Sequence, residues 1–119
     1  MSKEKQSLIG VDLGGTKVAA GKVSAGILQK QLNEKLDQSS EDPMDAVGII
    51  IKLVRQLMDN EVSGIGVGVP GLVDRESGAV YDVLNIPNWK VIQLKEILEE
   101  EFNTPVYIDN DSNCFAIGE

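Results

Sequence analysis

Cysteine is nearly missing from this chain: Cys114 is the single one in 119 residues. One thiol excludes an internal disulfide and a cysteine-rich metal site within these residues, and it suits a reducing compartment. A basic cluster is missing too. Eleven Lys and Arg against 19 Asp and Glu give a net charge of −8, so no surface neutralises a run of phosphates, and nucleic acid is not an expected partner. Any anionic ligand would have to be met locally. No stretch reaches the ~18 apolar residues of a membrane span, and the opening Met1-Ser-Lys-Glu-Lys-Gln6 lacks a signal-peptide core. The expectation is a cytoplasmic protein without a membrane partner.

What is present is ordinary in bulk. Hydrophobic residues at 42% and charged residues at 25% suit a globular domain, and the length allows one domain with a real core.

The informative stretch is Leu8-Ile-Gly-Val-Asp-Leu-Gly-Gly-Thr-Lys17. An apolar run delivers Asp12 to its end, and two glycines, a hydroxyl and a lysine follow, which is the order a strand–turn–strand phosphate site needs. Glycine adopts φ > 0 at no steric cost. Without a Cβ at Gly14 or Gly15 an anion can approach the backbone N–H groups, while Thr16 and Lys17 add a hydroxyl donor and a positive charge. Asp12 beside that anion site could hold a hydrated Mg²⁺. The plainer reading is a Gly-Gly hairpin between core strands with Asp12 and Lys17 merely solvated; on this decapeptide alone both stay open. The pattern is neither G-x-x-x-x-G-K-[ST] nor a G-x-G-x-x-G that opens a helix, since Val18-Ala-Ala-Gly-Lys-Val23 continues as a second strand.

Further along, Ser24-Ala-Gly26 reads as a turn and Ile27 to Leu36 as a third strand, completing an antiparallel meander. Asp42-Pro43 starts a helix, with Asp as N-cap, Pro at the first helical position and Asp45 in the first turn. Val47, Ile50, Ile51, Val54, Leu57 and Met58 form its buried stripe. Val62 to Val69 alternates Ile65, Val67 and Val69 with Gly64, Gly66 and Gly68, a strand bare on one face, which Pro70-Gly71 stops. Gly64 and Gly66 read best as packing glycines; Gly71 lies at a strand end, where ligands gather in α/β sheets. A short strand over Ala79 to Tyr81 follows the Glu76-Ser-Gly78 loop, and Val83 to Trp89 is irregular. Val91, Leu94, Ile97, Leu98 and Phe102 mark a second amphipathic helix, whose Glu99-Glu-Glu101 run reads as a solvated face. Val106 to Ile108 is the next strand, leading into Asp109-Asn-Asp111 and the opening of another helix, Cys114 to Glu119. The last residues carry no stop signal, so these 119 residues are expected to be the front part of a longer chain.

A carboxylate at the carboxyl end of such a strand can take the proton of a sugar hydroxyl as its oxygen attacks a γ-phosphate. Asn110 and Asn113 could orient other hydroxyls. The alternative is an Asx-type helix cap made by Asp111 or Ser112.

Leu8 to Lys17, Pro70-Gly71, Asn85-Ile-Pro-Asn-Trp89 and Asp109-Asn-Asp111, taken in this order, resemble the ROK family (repressors, open reading frames and sugar kinases) from about Leu8 to Glu119. The resemblance implies the amino-terminal lobe of the two-lobed actin-like ATPase (ribonuclease H-like) fold: α/β, a mixed sheet with the three-strand antiparallel meander and flanking helices. It implies transfer of the γ-phosphate of ATP to a hexose or an N-acylhexosamine. On it, Asp12, Gly14, Gly15, Thr16 and Lys17 form the first phosphate motif, Asp111 is the catalytic base, and Gly71, Asn85, Asn110 and Asp111 line the sugar site, with Trp89 a structural tryptophan beside it. Ser112, Cys114 and Phe115 depart from the small residues usual there, which bears on local packing.

The family's Glu and His sugar ligands, its structural Zn²⁺ cluster and its adenosine-binding lobe would lie downstream of residue 119, and a homodimer is expected of the full-length protein. Only about seven residues precede the first strand, where repressors of the family carry a helix-turn-helix, so the kinase branch ranks above the sensor or repressor branch. An actin-like ATPase with no sugar substrate is the third reading.

Overall fold

The computed structural model describes residues 7–83 and 86–110. Along the chain run β1 (Ser7–Leu13), β2 (Lys17–Ser24), β3 (Ile27–Lys35), α1 (Met44–Leu57), β4 (Val62–Gly68), β5 (Gly71–Asp74), β6 (Ala79–Val83), β7 (Ile92–Gln93), α2 (Leu94–Phe102) and β8 (Val106–Asp109).

The first three strands form the expected meander, because each turn reverses the chain within two or three residues. The tighter requirement falls on the second turn. Ala25 and Gly26 both take positive φ, 52° and 77°, the pairing a two-residue hairpin needs to match strand twist. The edge then builds inward: β3, β2, β1, β4 and β8 lie side by side in that order. β1, β4 and β8 run parallel, so each return needs a crossover, and α1 and α2 supply them.

α1 begins one residue later than the sequence reading has it, with Pro43 as its N-cap and Met44 as its first helical residue. Pro43 sits in helical backbone just ahead of it (φ −63°, ψ −19°), and the Asp42 carboxylate accepts the Met44 N–H at 2.9 Å. Its buried stripe is Ala46, Val47, Ile50, Leu53, Val54 and Leu57, while Ile51 and Met58 are only partly buried at its margin. α1 packs over β1 and β2, and α2 over β8. Both cover one face of the five-stranded sheet, that of Ile9, Val11, Leu13, Val18, Ile65, Val67, Val106 and Ile108, which is the core. Removing each large side chain there from water supplies on the order of 1.5–3 kcal/mol.

Two further features depart from the sequence reading. Gly71 does not simply end a strand: it opens β5, which with β6 and β7 makes a second, three-stranded antiparallel sheet. Trp89, in the segment read as irregular, anchors this sheet from within the core, where its indole N–H donates to the Val80 carbonyl at 3.1 Å. The second helix starts at Leu94, three residues after Val91, because Ile92 and Gln93 pair with β6 as β7. Val91 is left exposed. The helix stops at Asn103, which takes left-handed backbone (φ 51°) and donates its N–H to the Glu99 carbonyl.

The acidic run of α2 is also more than a wet face. Glu99 accepts the Val106 N–H at 3.0 Å through its side chain, closing the entry to β8, and Glu101 pairs with Arg55 of α1.

Candidate active site at the carboxyl edge of the sheet

Parallel strands end on the same side of a sheet, so β1, β4 and β8 deliver their last residues to one edge. Register makes this specific. Asp12 lies opposite Gly68, and Gly68 opposite Asp109, so the three share a row and a face. At the usual strand spacing of ~4.8 Å the two acidic residues are about 10 Å apart across the backbone of a glycine. That face is the one α1 and α2 leave uncovered. The edge continues into the Gly14–Thr16 turn after β1, Val69 and Pro70 after β4, and Asn110 after β8; Val69 donates its N–H to the Asp109 carbonyl at 2.9 Å. Asp12, Gly14, Gly15, Gly71 and Asn110 therefore lie toward the same edge of the sheet. Asn85 and Asp111 lie outside the described residues, as do Ser112, Asn113, Cys114 and Phe115.

The glycine turn works differently from its sequence reading. Among the described glycines only Gly26 and Gly78 have positive φ, so neither Gly14 nor Gly15 is there for left-handed backbone. Gly14 is there for space: a Cβ would stand 3.1 Å from the Lys17 carbonyl oxygen. Its N–H donates to that oxygen at 2.9 Å and closes the hairpin, so this donor is not free for an anion. The carbonyls of the turn are tied back as well. Gly15 O accepts from Gln38 Nε2 at 3.3 Å and Thr16 O from the Leu36 N–H at 2.8 Å. The side chains of Thr16 and Lys17 remain at the surface, where they can meet a ligand.

Asp12 is partly buried, and that desolvation pushes its carboxyl above the ordinary carboxylate value, with Lys17 nearby pulling the other way. A carboxylate partly stripped of water beside one cation is a suitable single ligand for a hydrated divalent ion, which keeps most of its waters. No cluster of three metal-ligating side chains exists among the described residues.

Gly71 has a packing reason that the sequence hid. A Cβ there would fall 1.7 Å from the Asp82 carbonyl oxygen, because β5 lies tight against β6. Sequence reasoning also passed over Arg75, whose guanidinium lies 3.0 Å from Asp109 Oδ1; nothing in local spacing linked that loop to β8. A small cavity of about 60 Å³ beside Gly15 is lined by Asp37, Gln38, Asp42, Asp45 and Ile86 among others, and Asn88 Nδ2 donates to the Glu41 carbonyl at 2.9 Å.

A meander leading into parallel strands, with a glycine hairpin and strand-end polar residues at one edge, defines the actin-like ATPase class of fold. Within it the chain belongs to the ROK family, whose model matches residues 8–119. It is 36% identical over 118 residues to a glucokinase of Thermotoga maritima, covering 97% of this chain and 37% of that one. It is 34% identical over 125 residues to a xylose repressor of Caldicellulosiruptor bescii, covering 100% and 31%. Among solved structures, a ROK family glucokinase from Streptomyces griseus in complex with glucose and AMPPNP superposes with a TM-score of 0.74 at 32% identity, over 90% of this chain and 34% of that one. The chain thus spans about a third of the length of these relatives.

Proposed function

We propose that the full-length protein phosphorylates a hexose or an N-acylhexosamine at a hydroxyl, using ATP, and that these 119 residues supply its amino-terminal lobe. The observation that carries this is the shared edge: the Asp12 row, the Gly14–Thr16 turn and Asn110 meet on one side of the sheet. The likeness to glucokinases supports the same reading.

The chemistry follows from what each group can do. Thr16 and Lys17 meet the phosphates of ATP with a hydroxyl donor and a positive charge. Asp12 would hold a hydrated Mg²⁺, which would supply positive charge to offset that on the phosphoryl oxygens. Asn110, together with Asn85 and Gly71, orients the sugar. Asp111 takes the proton from the attacking hydroxyl as its oxygen bonds to the γ-phosphorus and the bond to the bridging oxygen breaks, releasing ADP. Most of the acceleration comes from holding the hydroxyl in line with ATP. We place the protein in the cytoplasm as a homodimer; no helix among the described residues is long and apolar enough to cross a membrane.

The test is ATP consumption by the full-length protein with a panel of hexoses and N-acylhexosamines. Asp111→Asn should lower kcat by about 10²–10⁴-fold, the usual contribution of a general base, while sugar binding persists in calorimetry. Unchanged turnover would remove Asp111 from the mechanism. A second reading, a sugar-sensing regulator, draws on the likeness to the xylose repressor; it requires sugar binding with no ATP consumption.

A further inference from the structure

The turn between β5 and β6 carries a cation aimed at the end of β8. Arg75 Nη2 lies 3.0 Å from Asp109 Oδ1 and 3.3 Å from Asn110 Oδ1, so one guanidinium reaches the last residue of the strand and the residue after it. Asp109 Oδ1 also accepts the backbone N–H of Asn110 at 2.6 Å. The loop that presents Arg75 is itself held. Gly78 donates its N–H to the Asp74 carbonyl at 2.7 Å, and the Asp74 carboxylate accepts the Glu76 N–H at 3.0 Å. Gly78 sits at φ +73° with the Lys95 side chain where a Cβ would be. The backbone around Arg75 is thus fixed from two sides, although its side chain is 68% exposed.

A guanidinium has donors and no acceptor. The amide atom of Asn110 that meets it is therefore the oxygen, and the two amide N–H groups are left for some other acceptor. We propose that Arg75 is a positioning residue for the sugar site: by donating to Asn110 Oδ1 it fixes which end of the amide faces the arginine, so that Asn110 presents its Nδ2 hydrogens to a hydroxyl oxygen of the substrate. Without Arg75 the amide is free to turn over and offer either end. The proposal rests on the sugar-phosphorylating reading for its substrate. The guanidinium link to Asn110 stands on geometry alone.

The experiment compares wild type, Arg75→Met and Arg75→Lys in the full-length protein. Arg75→Met keeps the side-chain bulk and, at so exposed a position, leaves the melting temperature unchanged. Its KM for the sugar rises about tenfold, the loss expected for one charge-assisted hydrogen bond, with kcat within about twofold and KM for ATP unmoved. Arg75→Lys, which still donates, recovers part of the loss. A lower kcat at unchanged sugar KM, or equal rises in both KM values, overturns the proposal. Side-chain ¹⁵N relaxation of Asn110 supplies a readout free of turnover. Its Nδ2 group is ordered in wild type and loosened in Arg75→Met, and equal order in the two overturns the proposal. Should wild type phosphorylate no sugar in the panel, the kinase reading fails, and the relaxation comparison alone decides whether Arg75 holds Asn110.

Discussion

A methyl group on Gly71 would lie 1.7 Å from the Asp82 carbonyl oxygen, so Gly71→Ala has to push β5 off β6. An overpacked backbone contact of this kind typically costs about 1–3 kcal/mol, and denaturant melting of the variant should show a loss in that range. Gly48 makes the opposite case. It lies exposed within α1, with nothing inside 4 Å of an added Cβ, and Gly48→Ala should raise stability by about 0.5–1 kcal/mol because it removes backbone freedom from the unfolded chain. The sequence marked Gly71 for its place after a strand and said nothing of Asp82, because β5 and its pairing with β6 were not visible in local pattern. Asp12 was legible as a strand-end carboxylate from its place between an apolar run and two glycines. Its partial desolvation was not, since that depends on which strands flank it.

Elements follow the sequence where periodicity is strong and depart where pairing overrides it. The meander, α1 but for a one-residue shift at its start, and β4 are as read, because alternation and the Asp42-Pro43 start are local signals. β5 and β7 are too short to carry a period of their own and exist through their pairing with β6. Glu99 shows the same limit inside a helix: its spacing says solvent, yet its carboxylate holds the Val106 N–H. That bond, with Lys95 a lesser contributor, keeps the Glu99 carboxyl below its ordinary value of 4.5. A carboxyl lowered by folding contributes stability above the unfolded value and loses it as pH falls through the folded one. Glu99→Gln should therefore leave wild type and variant closer in stability at acidic pH than at pH 7, measured by urea midpoints across pH 3–7. A constant gap would show that the charge on Glu99 is irrelevant to the strand entry.

At the scale of the whole molecule, the ROK family fold was legible because four short motifs occur in order over nearly the entire chain. The pairing of Arg75 with the end of β8 was not, since it joins loops from different sheets. The chain spans about a third of the length of its relatives, and the proposed reaction needs the remainder. The 119-residue chain should accordingly fold, with a cooperative thermal transition by circular dichroism, yet consume no ATP when a hexose is added. Hexose phosphate formed by this chain alone would overturn the proposed division of labour between lobes.

The parallel row of Asp12, Gly68 and Asp109 has a bearing on how the protein comes into being. These residues are far apart in the chain and become neighbours only when both crossovers have closed, the slowest kind of pairing to nucleate. No early hairpin or isolated helix can contain even a crude version of the row. The ligand grip proposed for this row is thus assembled late and all at once, and a nascent chain that has not yet closed its sheet lacks it.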